Sequence, residues 1–206
     1  MSEPNLYVVA APSGGGKTSL IAALLERDAN TRLSVSHTTR APRPGEIDGV
    51  HYHFVSAADF DRLARAGEFL EHARVFDHRY GTGRAAVEDQ LAQGRDVILD
   101  IDWQGARQVR ESFPSCCSIF IVPPSIAELR RRLAARGQDP ADVIERRMRD
   151  ARSEISHWRE FDHVIVNDDF DAALTDLEAI VRTGRPKRAE TAAQTAEILA
   201  ELLQNG

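Results

Sequence analysis

The feature that most constrains this chain is an octapeptide that directly follows its first apolar run, Leu6 to Ala11. Residues 11–18 match the phosphate-binding loop G-x-x-x-x-G-K-[ST] at every position except the first, where Ala11 replaces glycine. In such loops backbone N–H groups surround a phosphate, the lysine reaches the outer phosphates and the final hydroxyl can bind Mg²⁺. The motif predicts a nucleoside triphosphate site formed by Ala11, Pro12, Ser13, Gly14, Gly15, Gly16, Lys17 and Thr18.

The alternative is a plain glycine-rich turn, and the predicted strand before the loop and helix after it argue against this alternative. The residue usage of the chain adds to that argument. Lys17 and Lys187 are the two lysines among 26 basic residues, so the presence of one of them at the end of this loop favours a phosphate-binding role.

The formal net charge of −6 excludes the broad basic surface of a protein that holds nucleic acid by its phosphates. Any bound polyanion must therefore contact a local basic site, and we expect no nucleic-acid partner.

Four short apolar runs lack polar alternation, which is typical of parallel strands covered on both faces. Segments of helical period separate them, including residues 18–27 and 125–136, and this order predicts a three-layer α/β core. The four predicted strands are Leu6 to Ala11, Val97 to Ile101, Ser118 to Val122 and Val164 to Val166.

Three further segments depart from this pattern. From Ser34 to Gly83, short alternating runs (Val50 to Val55 and Phe69 to Phe76) between turn residues predict a small inserted mixed sheet. Residues 125–157 predict a helical lobe that is interrupted at residues 137–140. Residues 185–206 predict a terminal helix whose apolar edge docks on the core or on a second subunit, which leaves a homo-oligomer open; that edge is Ile198, Leu199, Leu202 and Leu203.

The cysteines, the histidines and the chain start point to an intracellular protein without a structural disulfide or zinc. Cys116 and Cys117 are neighbours that a strand would direct to opposite faces, and the seven histidines lack zinc-ligand spacing. No apolar stretch approaches the roughly 18 to 20 residues that span a bilayer. Met1 to Asn5 has neither the basic nor the apolar region of a signal peptide. We therefore expect a cytoplasmic protein with no membrane partner.

Asp100 ends the apolar run Val97 to Leu99, the pattern by which nucleoside triphosphatases hold Mg²⁺ or its waters. A carboxylate here can instead cap a helix that begins near Trp103, and Asp102 is equally placed for that role. The sequence leaves open which of the two carboxylates faces a metal.

A second anion site is predicted in the segment 36–46, where Arg40 and Arg43 flank Pro42. Proline stiffens the backbone, and two guanidinium forks on a stiff loop suit a phosphate dianion. Tyr52 and Tyr80 could add hydroxyl donors. Each of these residues alone would more often form a surface ion pair or a satisfied core hydroxyl group, so the prediction depends on their combination.

These motifs resemble the guanylate kinase family, in order and at family spacing, over about residues 5–184. The resemblance rests on residues 11–18, 36–46, 67–71, 80–82, 99–105 and 164–168. It implies a P-loop nucleoside monophosphate kinase fold with a parallel core sheet (residues 5–33, 84–124 and 158–184), an inserted mixed α/β GMP-binding lobe (34–83), a helical lid (125–157) and a C-terminal helix (185–206).

The resemblance also implies the reaction ATP + GMP to ADP + GDP with Mg²⁺, and dGMP as a further acceptor. It assigns the phosphate of GMP to Arg40, Arg43, Tyr52 and Tyr80, and the guanine to Ser36, Glu71, Thr82 and Asp100. It assigns the transferred phosphoryl group to Lys17, Arg43, Arg136 and Arg147. Arg136 and Asn167 would flank the adenine of ATP, and Thr18 and Asp100 would bind the metal directly or through water.

The chemistry of guanine agrees with the assignment of Glu71. Guanine presents two adjacent N–H donors, which one carboxylate can accept together, whereas adenine presents a bare acceptor to the same oxygen. A buried carboxylate left unpaired by the wrong base would therefore discriminate strongly between the two.

Eight arginines and four acids lie between Arg130 and Arg152. Most of these arginines are expected on a solvated helix face, in pairs such as Asp142 with Arg146 and Glu145 with Arg149.

Two other functions share this fold. A guanylate-kinase-like interaction module would lack a working phosphate loop, whereas Gly16, Lys17 and Thr18 are intact here. A kinase acting on a sugar bisphosphate or another nucleotide would not need Ser36, Glu71 and Thr82 together.

Overall fold

The computed structural model describes residues 4–75, 77–135, 141–183 and 192–204. Its strands are β1 Leu6–Ala10, β2 Thr31–Leu33, β3 His37–Thr38, β4 His53–Phe54, β5 Phe69–Val75, β6 His78–Gly83, β7 Asp96–Asp100, β8 Cys117–Val122 and β9 His163–Val166. Its α-helices are α1 Lys17–Arg27, α2 Ala57–Arg65, α3 Arg84–Ala92, α4 Trp103–Ser112, α5 Ile126–Ala135, α6 Ala141–Ile155, α7 Phe170–Thr183 and α8 Ala192–Gln204.

The main sheet has the strand order β2-β7-β1-β8-β9, and the pairs β2–β7 and β8–β9 are parallel. All five residues of β1 are buried, as are five of the six residues of β8. Strands covered on both faces need continuous apolar runs, which explains why the sequence showed no polar alternation there. The predicted α/β core with a parallel sheet is confirmed.

A second, mixed sheet has the strand order β4-β3-β6-β5, with β3–β4 parallel and the other pairs antiparallel. The prediction of a strand from Val50 to Val55 is wrong for most of its length, because the strand is limited to His53–Phe54. Residues 47–51 form a turn in which Val50 N and His51 N donate to Ile47 O at 3.2 and 3.0 Å. These local hydrogen bonds satisfy the backbone without a sheet partner.

The chain divides into two compact units, residues 1–8 with 29–117 and residues 9–28 with 118–206. This division does not follow the predicted boundaries of core, lobe and lid, which remain a prediction. The first unit holds the second sheet with α2, α3 and α4, and the second unit holds α1 and α5 to α8.

In the second unit, α5 and α6 pack through an apolar cluster of Leu129, Leu133, Met148 and Ala151. The apolar edge of α8 packs within the same unit, because α8 contacts α6 and both Leu199 and Leu202 are buried. The sequence left the core and a second subunit open as docking partners for this edge; in the described residues the edge packs on α6, which belongs to the predicted lid segment 125–157.

No helix in the described ranges combines the length and apolar character that crossing a bilayer requires. Cys116 and Cys117 form no disulfide; Cys116 is buried and Cys117 is half-buried.

Candidate active site

The predicted phosphate-binding loop lies between β1 and α1. Gly14 and Gly16 adopt positive φ angles of 90° and 95°, a region that favours glycine, and Gly15 N donates to Pro12 O at 2.8 Å. Gly16 caps α1, so Lys17 and Thr18 are its first two residues. The loop therefore lies at the positive N-terminal end of a helix, where an anion is favoured.

Neighbouring side chains leave no room for a side chain at these glycines. A methyl group on Gly16 would overlap Asn167 Nδ2, and one on Gly14 would lie 2.9 Å from Leu129 Cδ1. Asn167, which follows β9 and is 4% exposed, donates from Nδ2 to Gly15 O at 2.9 Å. Asn167 thus braces the loop directly.

Arg132 is the residue that sequence reasoning missed in this unit, since it counted among the solvated arginines of 130–152. Its Nη2 donates to Asn167 O at 2.8 Å and its Nε donates to Glu128 Oε1 at 2.7 Å. Its Nη1 is buried, has no hydrogen-bond partner among the described residues, and lies 3.9 Å from where a Cβ of Gly16 would stand. A cationic donor therefore points at the loop, where an anion would satisfy it.

Glu128, four residues before Arg132, was the one signal in the sequence, but it did not distinguish Arg132 from Arg131. Arg131 also donates to Glu128, at 2.7 Å from both Nε and Nη2. These hydrogen bonds from Arg131 and Arg132 lower the pKa of Glu128 from 4.5 to about 2. Only the packing of α5 against the loop decides which arginine turns inward.

Glu154 on α6 is a second contact that the sequence did not indicate. Its Oε2 accepts from Ser13 N in the loop at 3.0 Å, and a backbone donor leaves no trace in the residue pattern. Arg147 lies seven residues earlier on α6, on the same helix face, and is half-buried. Arg136, the other predicted lid residue, lies outside the described residues.

Elsewhere on α5 and α6, Glu145 pairs with Arg130 and Arg146 pairs with Asp150 at 3.9 Å. The expected pair Asp142 with Arg146 cannot be compared, because the side chain of Asp142 lies outside the description.

In the first unit, three predicted base-contacting residues meet on the second sheet. Glu71 on β5 is 3% exposed and its Oε1 accepts from Thr82 Oγ1 of β6 at 2.6 Å. Ser36 Oγ lies 3.4 Å from Thr82 Oγ1. A buried carboxylate beside two hydroxyl groups offers acceptors for the N–H groups of a ligand and donors for its oxygen.

Three residues that were predicted to bind a phosphate, Arg40, Tyr52 and Tyr80, lie close together in the same unit. The Arg40 guanidinium lies 5.4 Å from the centre of the Tyr52 ring, and the Tyr52 and Tyr80 rings lie 5.9 Å apart. Burial raises the pKa of Tyr52, as does the nearby charge of Asp100. The side chain of Arg43 is exposed.

Glu46 binds both the Arg40 side chain and the backbone of the same loop, and the sequence did not single it out. Its carboxylate accepts from Arg40 Nη1 and Nη2 at 2.9 and 2.8 Å and from Arg43 N at 2.6 Å. The side chains of Arg40 and Glu46 are only 10% and 17% exposed. A six-residue separation in a non-helical loop has no periodic signature, so the pair could not be found from spacing.

Glu46 makes stability depend on pH in a defined interval. Hydrogen bonds from Arg40 lower the pKa of Glu46 from 4.5 to about 2. A lowered pKa contributes stability that is present above the unfolded value and is lost as the pH falls toward the folded value. In urea unfolding, we expect the advantage of wild type over Glu46→Gln to narrow between about pH 5 and about pH 3. A constant difference over this interval would contradict the pairing.

The structure separates the two aspartates that the sequence left equivalent for capping. Asp102 caps α4, since its Oδ1 accepts from Gly105 N at 2.9 Å and its Oδ2 from Gln104 Nε2 at 2.9 Å. Asp100 instead ends β7, where it is half-buried. The capping role belongs to Asp102.

Two residues that were predicted to bind a metal, Thr18 and Asp100, each carry an oxygen ligand. No group of three or more His, Cys, Asp or Glu side chains in the described ranges could hold a metal ion. Thr18 presents an exposed hydroxyl at the start of α1 and Asp100 a carboxylate. Mg²⁺ prefers such oxygen ligands and usually takes few from protein when nucleotide phosphates supply others.

A parallel α/β sheet whose first strand leads into a lysine-bearing phosphate loop is typical of P-loop proteins that bind nucleoside triphosphates. The family model described as Guanylate kinase matches residues 3–184. The guanylate kinase of Alkalilimnicola ehrlichii is 59% identical over 96% of this chain and 98% of its own length. That of Vibrio cholerae is 57% identical over 98% of this chain and 99% of its own.

The crystal structure of guanylate kinase from Anaplasma phagocytophilum matches with a TM-score of 0.75 and 37% identity, covering 97% of this chain and 95% of that one. The chain belongs to the guanylate kinase family. It is therefore a nucleotide-binding phosphotransferase, in a family that phosphorylates GMP to GDP with ATP. The resemblance read from its motifs is confirmed.

Proposed function

We propose that this protein transfers the γ-phosphoryl group of ATP to GMP, and also to dGMP, in purine nucleotide metabolism in the cytoplasm. The observation that carries the proposal is the buried Glu71 carboxylate beside Thr82 and Ser36, in a chain whose phosphate loop is intact. The carboxylate accepts N1–H and N2–H of guanine, and the hydroxyl groups donate to its O6 atom. Asp100 lies at or near the same base.

The acceptor phosphate binds to Arg40, Arg43, Tyr52 and Tyr80. The closeness of Arg40 to Tyr52, and of Tyr52 to Tyr80, supports this assignment. Because Glu46 already accepts from both Nη atoms of Arg40, the phosphate would bind the N–H groups that Glu46 leaves. These contacts go to the base and the phosphate rather than to the 2′-hydroxyl, so dGMP should bind as GMP does.

ATP binds to residues 11–18, with Arg136 and Asn167 at its adenine. Lys17, Arg43, Arg136 and Arg147 meet the charge on the transferred group, and Arg132 joins them because its buried Nη1 points at the loop. An anionic oxygen of GMP forms the new bond to phosphorus as the bond to the β-phosphate oxygen breaks. No general base is needed, because the attacking oxygen carries no proton to remove.

Thr18 and Asp100 would hold Mg²⁺, directly or through water. When bound, Mg²⁺ would neutralise charge on the phosphates. Residues 34–83 act as the GMP-binding lobe and residues 125–157 as a lid whose closure excludes water. The apolar packing of α5 against α6 supports a lid that moves as one body.

The test is a coupled assay of ADP release with GMP, dGMP, AMP, UMP and CMP as acceptors. We expect strong activity with GMP, activity with dGMP, and a loss of about 10⁴-fold with AMP, whose ring offers Glu71 no paired donors. Equal activity with AMP would overturn the proposal. Activity with none of the five would instead favour an interaction module or a kinase for another acceptor.

A further inference from the structure

A glycine occupies the first turn of α4, where the local backbone does not call for one. Gly105 is buried, and its N–H donates to the capping carboxylate of Asp102 at 2.9 Å. Glycine is among the least favourable residues in a helix. Its presence must therefore be explained by what lies against it.

The neighbour is the carboxylate of Glu71. A methyl group on Gly105 would overlap Glu71 Oε2 and would lie 3.0 Å from Glu71 Cδ and 3.3 Å from Ile101 Cδ1. The other oxygen of Glu71 is already held by Thr82. Because the carboxylate is the flexible end of its side chain, it would move before any backbone did.

Helix α4 cannot withdraw to make room, because it is tied to the strand that carries Glu71. Gln108 Nε2 donates to His72 O at 2.9 Å, and His72 N donates to Gln108 Oε1 at 3.1 Å. This pair of hydrogen bonds lies one residue after Glu71 on β5 and three residues after Gly105 on α4. The gap between helix and carboxylate is therefore fixed.

We propose that Gly105 is a positioning residue for base specificity: its missing side chain holds open the place in which the Glu71 carboxylate is aligned to accept both N–H groups of guanine. This inference rests on the proposed function, since it assumes that Glu71 reads the base. It adds that α4, which contacts no substrate in this role, determines how precisely the Glu71 carboxylate is aligned with the N–H groups of guanine.

The test compares Gly105→Ala with the matched control Gly83→Ala. Gly83 adjoins Thr82, has a φ of −66°, and a methyl group there would meet nothing closer than His37 Cε1 at 3.6 Å. For Gly105→Ala we expect KM for GMP to rise about 10-fold and KM for ATP to stay within about twofold. Gly83→Ala should leave both values unchanged. The melting temperature of Gly105→Ala should stay within about 3 °C of wild type.

Activity with IMP provides a measurement that a general loss of stability would not change. It lacks the exocyclic amine of guanine, so the preference for GMP over IMP reports the second hydrogen bond to Glu71. We expect Gly105→Ala to lower this preference about 10-fold. An unchanged preference with unchanged KM for GMP, or equal rises in KM for GMP and ATP, would overturn the inference.

Glu71→Asp provides a rescue, because its carboxylate is one methylene shorter and retreats from position 105. We expect Gly105→Ala to cost less in the Glu71→Asp background than in wild type. If Gly105→Ala alone does not fold, Glu71→Asp should restore folding, and failure to do so overturns the inference. Failure of the proposed function would look different, because wild type itself would then not phosphorylate GMP.

Discussion

Lys17→Ala is expected to lower kcat by about 10²- to 10³-fold while the protein stays folded. Lys17 is the first residue of α1, directly after the loop, where its ammonium would meet charge that develops on the transferred phosphoryl group. Alanine is the best helix former, so the helix should persist. Steady-state kinetics with ATP and GMP measure the fall in kcat, and circular dichroism measures whether the protein stays folded.

Lys187→Ala is the matched control. It removes the other lysine of the chain, which lies outside the described residues and has no assigned role. Its kcat should equal that of wild type. Near-normal turnover in Lys17→Ala would remove the phosphate-loop role from this lysine.

Glu71→Gln is expected to lower kcat/KM for GMP by about 10²- to 10⁴-fold and to leave ATP binding nearly unchanged. The amide keeps an oxygen that can accept from Thr82 Oγ1, which now donates to Oε1 at 2.6 Å. It replaces the other oxygen with an N–H₂ group that faces the two donors of guanine. The fold should persist, because the variant buries a neutral group in place of a charge.

Glu68→Gln is the control for this second change. Glu68 lies three residues earlier and is exposed, so the same chemical change there should alter neither substrate's kinetics. Binding of ATP can be measured separately by calorimetry. Equal losses for GMP and ATP in Glu71→Gln would contradict a role confined to the base.

The phosphate loop and the buried strands could be predicted because their signals are local. Residues 11–18 are contiguous, and the features that bind a phosphate, backbone N–H groups and a following helix, are supplied by the same short stretch. Strand β1 could be predicted because it consists of five consecutive apolar residues. The expected strand from Val50 to Val55 fails at its start, because Val50 looks like a strand residue but lies in a turn and is 60% exposed.

The residues that the sequence did not reveal act through contacts between distant parts of the chain. Arg132 bonds to Asn167, 35 residues away, and Asn167 bonds to Gly15, 152 residues away. Glu46 holds Arg40 across a loop without periodicity. No spacing rule links such pairs, since their separation depends on where the backbone turns.

The order of residues by itself determined that this chain makes a parallel core, a glycine-rich anion loop and two guanidinium groups on a stiff segment, because each follows from neighbours along the backbone. Tertiary structure alone decided which arginine faces the loop and which acid caps α4. It also placed the Glu71 carboxylate where a side chain at position 105 would stand. Those outcomes depend on the volume and hydrogen bonds that remain when separate segments pack, which the linear order does not encode.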